Sequence, residues 1–238
     1  MNLAIDIGNT AAKWGTFEGR KTLSSGIWTA SQGDGVLESL VGAADRVLVS
    51  ASGQVPEVLA TLPRLDSSTS LPIHLDYKTP TTLGADRIAD ACGAAGLYPG
   101  QPCLVIDAGT CITVDFIDAD ATYHGGAIMP GLEMNLHALH TFTAKLPLVS
   151  LDTVEHTPVM GRSTEESIVA GTLGATLLAL AGYVALYKEK AAGLHVLLTG
   201  GDAARLSAGG TKGWEHVPLL TLQGMNEIMR MQEAGCVN

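Results

Sequence analysis

Two short phrases drive an apolar run straight into an acid. The first, at residues 2–13, reads NLAIDIGNTAAK: Ile5 leads into Asp6, then Gly8, Asn9 and Thr10, with Lys13 close behind. The second, at 104–110, reads LVIDAGT: Ile106 leads into Asp107, then Gly109 and Thr110. A strand that ends on Asp and turns at Gly puts a carboxylate at the mouth of a sheet. The glycine lets an anion approach the backbone N–H groups, and Thr adds a hydroxyl donor. Two such turns facing each other would grip the phosphates of a nucleotide, with the carboxylates holding a cation directly or through water. One turn alone reads as an Asx-turn that closes a strand. Its recurrence as I-D-x-G followed by Thr favours the anion-and-metal site, and it marks two similar halves, the trace of an internal duplication.

A third stretch, TLGADRIAD at 82–90, sets Asp86 and Arg87 side by side where a helix begins. One reading is a helix start with an exposed arginine. The other is a base beside an anion clamp. A hydroxyl that accepts a phosphoryl group needs a carboxylate to orient it and take its proton. A guanidinium suits a substrate carboxylate by bidentate pairing.

The elements that must position these groups follow an α/β pattern. Strands are expected at 2–7, 12–18 and 22–29, a short helix near 36–41, a strand from Arg46, a helix near 56–62 and a strand at 71–77. A helix from Gly84 crosses towards the second half. Two strands flank the Gly109 turn, GGAIMPG at 125–131 reads as a turn-rich loop, and a helix follows at 132–142. A long helix is expected from Thr164 to Lys190, then a strand entering the double glycine of TGGDA at 199–203, then a C-terminal helix. Three antiparallel strands followed by alternating helix and strand give an α/β layer fold. No Pro/Ser linker separates the halves, so they are expected to pack tightly.

Composition narrows the function. The chain has 238 residues, 46% of them hydrophobic and 16% charged, with a net charge of −10. That balance suits a folded globular protein. Without a cluster of Lys and Arg it disfavours nucleic acid, which is bound through its phosphates. Cys92, Cys103, Cys111 and Cys236 form no CxxC pair and no zinc spacing, and the chain opens on a strand carrying Asp6 rather than on a leader; reduced, cytoplasmic thiols are the expectation. The uncharged run at 167–187 is long enough to span a bilayer, but its Ala, Gly and Thr content points to a buried central helix and no membrane. GTFEGRKT at 15–22 imitates a phosphate-binding loop, yet Arg20 separates Gly19 from Lys21 and no helix pattern follows. His137 and His140, three apart on a helix, are not read as a metal site, and His124 has no assigned role.

The phrases DIGNT, LGADR, DAGT, GGAIMPG, RSTEESIVAG and TGGDA, in this order and spacing, closely resemble type III pantothenate kinases. That family belongs to the superfamily of acetate kinases, sugar kinases, heat-shock proteins and actin. The match runs from residue 2 to about 203; residues 19–75 and the tail after 205 carry no matching motif. The resemblance implies two duplicated ribonuclease H-like (actin-like ATPase) halves, mixed sheets flanked by helices, divided at 1–83 and 84–238 with ATP in the cleft. It implies phosphorylation of the primary hydroxyl of pantothenate by Mg-ATP, the first step towards coenzyme A. Asp6, Ile7, Gly8, Asn9, Thr10, Ala11, Ala12 and Lys13 would line the phosphates, and Thr110 would also contact ATP. Asp86 would be the general base. Gly84, Ala85, Asp86 and Arg87 would bind pantothenate, with Tyr77 packing on it and Thr164 hydrogen-bonding it. Asp107 would ligate a monovalent cation, potassium or ammonium. Family members are dimers, with the long helix near the partner subunit, so a homodimer is implied. The turn at Thr199 to Asp202 would lie on the nucleotide side, by superfamily analogy. The alternatives are a kinase of the same superfamily with another acceptor, and a regulatory relative that has lost catalysis and acts by binding partners. Retention of Asp6, Asp86, Arg87 and Asp107 argues for an active enzyme.

Overall fold

The computed structural model describes residues 1–8, 11–152, 154, 156–209 and 211–235. Asn9, Thr10 and Cys236, named above, lie outside the described residues. The strands are β1 (Asn2–Ile7), β2 (Ala12–Glu18) and β3 (Lys21–Trp28), followed by helix α1 (Gly35–Ala43), β4 (Arg46–Ala51), β5 (His74–Leu75) and helix α2 (Ala85–Leu97). The chain continues through β6 (Cys103–Ala108), β7 (Cys111–Ile117), β8 (Thr122–Pro130), α3 (Leu132–Thr141), α4 (Thr164–Val169), α5 (Ala175–Lys190), β9 (His195–Thr199), α6 (Ala203–Ala208), β10 (Glu215–His216) and α7 (Leu220–Glu233).

Two compact units form. The first comprises Met1–Gly100, Ile117–Gly125 and Leu219–Asn238; the second comprises Gln101–Phe116 and Gly126–Pro218. In the first unit the strands run in the order β3-β2-β1-β4. Strand β1 is antiparallel to β2 and parallel to β4. It is buried nearly throughout, as a central strand covered on both faces must be. The edge strand β3 is polar and largely exposed. Leu3, Ile5, Ile7, Trp28, Leu37, Val49 and Leu59 form the core on this side of the sheet.

In the second sheet the same order recurs as β8-β7-β6-β9, extended by β10 beyond β9 and by β5 beyond β8, with β9 parallel to β6 as β4 is to β1. This repeated topology is the physical form of the duplication read from the two acid phrases. Leu104, Ile106, Ile112 and Val114 of this sheet pack with Leu136, Ile168, Leu173, Leu180 and Leu206 of the helices.

Helix α2 is buried on almost every side from Arg87 to Ala94, because α7 lies against it. Gly93 and Gly224 sit at the crossing, where a side chain on Gly224 would overlap the Ala89 carbonyl. Polar ties hold α7 to α2 and to the sheet. Thr221 donates to Asp90 at 2.7 Å, and the Asn226 amide donates to the Gly19 carbonyl at 2.8 Å while accepting from Asn2 at 3.0 Å.

Four expectations change. The helix expected near 56–62 is a single 3-10 turn at Glu57–Leu59, and Pro63 disfavours helical backbone at the residue before it. The strand expected at 71–77 pairs over His74–Leu75 alone. The loop expected at 125–131 is instead strand β8, whose glycines serve close approach: a side chain on Gly126 would overlap the Val114 carbonyl of the neighbouring strand. The helix at Thr164–Lys190 is present, is long and apolar enough to cross a membrane (mean hydropathy 1.8), and contains a π-helical segment at Ala170–Gly174. It is not a buried central helix: only 39% of its most apolar window is buried, with Leu178 75% exposed.

Candidate active site

The first acid turn is built by the end of β1. Asp6 lies opposite Lys13 on β2 and Ser50 on β4. The Gly8 N–H donates to the Ala11 carbonyl at 3.0 Å and closes the turn. The Ile7 carbonyl accepts the Ser52 and Gly53 amides at 2.9 and 3.1 Å, so the end of β1 is fixed from the β4 side. Burial raises the pKa of Asp6, and the nearby negative charge of Asp86 raises it further; a hydrogen bond from Ser50 and the charge of Lys13 oppose both. The sequence pairs these acids with nothing local. The fold brings Asp6 and Asp86 within charge–charge range of each other inside one unit.

Asp86 stands in the first turn of α2, behind Gly84 as the capping residue. Its Oδ1 accepts the Arg87 N–H at 2.8 Å. A side chain on Gly84 would push against Asp86 Oδ1, so the glycine leaves that carboxylate its place. Arg87 is 6% exposed, which excludes the solvent-exposed arginine of the simpler reading. Its guanidinium carbon lies 6.0 Å from the Tyr77 ring centroid and 5.9 Å from that of Tyr123. The two rings are 5.8 Å apart and tilted by 56°. Two aromatic rings thus lie within cation–π range of the guanidinium. Gly125, at φ 84°, runs under the Tyr77 ring so closely that a Cβ there would be 3.0 Å from the ring edge. A cavity of about 540 Å³ is lined by Gly8, Ala11 and Ala12 together with Trp28, Asp34 and Gln54.

The second acid turn lies in the other unit. The Gly109 N–H donates to the Cys111 carbonyl at 3.0 Å, and Thr110 is exposed beside it. Asp107 pairs in register with Thr199 of β9. Gly200, at φ 95°, passes against the Ala108 carbonyl and the Asp107 carboxylate, and the Asp202 N–H donates to Ala108 at 2.9 Å. The TGGDA turn is therefore seated on the DAGT turn. Burial raises the pKa of Asp202, partly offset by Arg205. Thr164 is exposed at the start of α4, where the Ser163 hydroxyl caps the helix by accepting the Glu166 N–H at 3.1 Å.

Of the residues singled out in the sequence, Asp6, Ile7, Gly8, Ala11, Ala12, Lys13, Tyr77, Gly84, Ala85, Asp86 and Arg87 fall in the first unit, and Asp107, Thr110 and Thr164 in the second. Sequence reading missed Ser50 and Tyr123, and it left His124 unassigned. Ser50 sits inside an ordinary strand pattern and Tyr123 is a fully buried aromatic, so neither carries a local signal. The Arg20 of the false phosphate loop is engaged elsewhere, donating to Glu227 at 2.9 and 3.1 Å. His137 is 3.8 Å from Glu133, and His140 faces the Leu146 carbonyl at 2.9 Å. Among the described residues no group of three or more His, Cys, Asp or Glu side chains gathers to hold a metal ion. Cys92 and Cys103 are buried, and burial pushes the Cys103 thiol up to about 12.

A family model for type III pantothenate kinase matches residues 2–186. A type III pantothenate kinase of Bacteroides fragilis is 41% identical over 239 residues, covering 96% of this chain and 97% of the relative. One of Cytophaga hutchinsonii is 39% identical, covering 96% and 98%. Among solved structures, the activator of 2-hydroxyisocaproyl-CoA dehydratase from Clostridium difficile, with bound ADPNP, superposes with a TM-score of 0.58 at 16% identity, covering 99% of this chain and 97% of that one. A Campylobacter jejuni protein described as belonging to the Baf family of transcriptional activators gives 0.63 at 21% identity, covering 98% and 99%. These structural likenesses establish the actin-like ATPase fold, with mixed sheets flanked by helices.

Proposed function

The chain belongs to the type III pantothenate kinase family, and on that premise we propose that it transfers the terminal phosphoryl group of ATP to the primary hydroxyl of pantothenate. The product is 4'-phosphopantothenate, and the step opens coenzyme A synthesis. The observation that carries the reading is the convergence of Asp86, the Arg87–Tyr77–Tyr123 cluster and the Asp6 turn within one unit.

In this reading Asp86 orients the acceptor hydroxyl and takes its proton as the new O–P bond forms. Arg87 pairs with the pantothenate carboxylate, Tyr77 packs along its chain, and Gly84 and Ala85 supply backbone contacts. Thr164 adds a hydrogen bond. The turn from Asp6 to Lys13 lines the phosphates, and Thr110 contributes a hydroxyl. Phosphoryl transfer asks little covalent chemistry of the protein, so positioning and charge carry most of the acceleration. Both substrates are anions and the protein is acidic, so positive charge must be supplied locally: by Lys13, by Arg87 and by the magnesium carried with ATP.

Asp6 fits a cation-linked role, since its carboxylate is kept in a buried position that costs stability when ionised. Asp107 fits a monovalent ion, potassium or ammonium. With no cluster of acidic or imidazole side chains gathered for a metal among the described residues, further ligands would come from carbonyls and water. The bound ion would supply fixed positive charge near the phosphates. The working form is read as a cytoplasmic homodimer that engages neither nucleic acid nor membrane.

The deciding experiment is ADP release by the purified protein with magnesium ATP, in potassium and then in sodium buffer. Release that requires pantothenate and is faster in potassium supports the reaction and the cation together. Release with another acceptor alone replaces pantothenate as the substrate.

A further inference from the structure

His124 lies outside the roles just given, yet it touches the acceptor site through one intermediary. Strand β5 is two residues long, so Asp76 and Tyr77 follow its end. The Asp76 N–H donates to the Tyr123 carbonyl at 2.9 Å. On the other side stands Asp118, in the turn between β7 and β8. Its Oδ1 accepts the Asp120 and Thr122 amides at 3.0 and 2.9 Å, and its own N–H donates to the Thr122 carbonyl at 3.0 Å. Asp118 is therefore a fixed anchor. Its other oxygen meets His124 Nε2 at 2.7 Å, while His124 Nδ1 meets Asp76 Oδ2 at 3.2 Å. Anchor, ring and segment stand in line, and the next residue after Asp76 is Tyr77.

We propose that His124 is a positioning residue for the acceptor site, bridging Asp76 to Asp118 so that Tyr77 is held against Tyr123 and Arg87. The proposal rests on the reading of Tyr77 and Arg87 as pantothenate contacts. Both ring nitrogens face carboxylate oxygens, which accept only, so the bridge is complete when the imidazole carries both protons. Asp76 is 76% exposed, so the pair adds little to global stability. What it restrains is local: a segment whose tyrosine ring has Gly125 beneath it and a guanidinium 6.0 Å from its centroid. The glycine following His124 is part of the same device, since its missing side chain leaves room for the Tyr77 ring.

The test uses the full-length protein with His124→Ala, Asp76→Asn and the double variant. The readouts are KM for pantothenate, KM for ATP, and hydrogen exchange of the Asp76 amide. Each single variant is expected to raise the pantothenate KM by about two- to fivefold, in keeping with a partly exposed ion pair. The double variant should be no worse than the singles. The ATP KM should stay put, and the Asp76 amide should exchange faster. An unchanged pantothenate KM, or KM values for both substrates rising together, overturns the proposal. If the wild-type protein does not phosphorylate pantothenate, the functional reading fails separately. Exchange at Asp76 then decides the bridge, with an unaltered rate in His124→Ala counting against it. Should His124→Ala not fold, Asp76→Asn, at an exposed position, carries the same comparison.

Discussion

Asp6, at the end of β1, and Asp86, in the first turn of α2, lie near enough for the charge of Asp86 to raise the pKa of Asp6. In the proposed mechanism the two acids have different tasks, Asp86 as the base and Asp6 as a cation-linked group. Asp86→Asn keeps the shape and removes the proton acceptor, so turnover should fall by about 10²- to 10⁴-fold, with ATP affinity largely retained. Steady-state kinetics paired with calorimetric ATP titration would check this. Wild-type turnover in a folded Asp86→Asn protein would remove the base assignment.

Asp6 supplies the converse case. Its folded-state pKa is raised, with burial the largest cause. Between the unfolded and folded values the native state binds more protons, so Asp6 lowers stability as pH rises through that window. At neutral pH the ionised group is a net cost. Asp6→Asn should therefore melt at higher temperature than the wild type near pH 7, lose that advantage at pH about 3, and be nearly inactive. Thermal unfolding at the two pH values, beside an activity assay, gives the answer; an Asp6→Asn protein that melts lower near pH 7 would contradict it.

Arg87 is planar, buried and flanked by two tyrosines. A lysine keeps the charge but not the planar fork. Arg87→Lys is expected to raise the pantothenate KM by about tenfold or more, since a bidentate charge-assisted contact is at stake. The ATP KM should change much less. Equal effects on both substrates would argue for a general fault in α2.

How much of this was legible in the sequence differs by element. The acid turns could be read because a carboxylate closing an apolar strand is locally costly, and seeing it twice exposes the duplication. Helices α2 and α7 could both be read from their sequence patterns, but their pairing could not: a helix's apolar face does not say which helix will cover it. The Gly125 and Gly126 pair misled, because glycine serves turns and close approach alike, and only the neighbours Tyr77 and Val114 distinguish the two. Tyr123 and His124 join the site through cross-strand geometry, which leaves no spacing signature.

The α2–α7 crossing makes a separate test of packing. A side chain on Gly224 would meet the Ala89 carbonyl and the Gly93 amide, both of them backbone atoms of α2. Neither can rotate away, so the helices must separate. Gly224→Ala should cost about 1–3 kcal/mol of stability, measurable by urea unfolding. A neutral result would mean that α7 slides along α2 without losing its Thr221–Asp90 contact.

His124 makes the acceptor site respond to pH. A hydrogen bond to Asp118 is the main cause that raises its pKa, with the charges of Asp118 and Asp76 adding to it against the opposing effect of burial. Asp118 answers in kind: burial would raise it, but its bonds from His124, Thr122 and Asp120 outweigh that and hold it low. The charged groups around the ring are Asp118 from the β7–β8 turn and Asp76 beyond β5, with Arg87 of α2 behind the two tyrosines. Because the folded His124 value is raised, the bridge is fully formed below the unfolded value of about 6.5 and is lost as pH rises through the folded one. The wild-type pantothenate KM should therefore increase on the alkaline side of a scan from about pH 6 to about pH 9. The same scan of His124→Ala should lack that step, and the ATP KM should lack it in both proteins. A step that persists in His124→Ala would assign the pH response to another group.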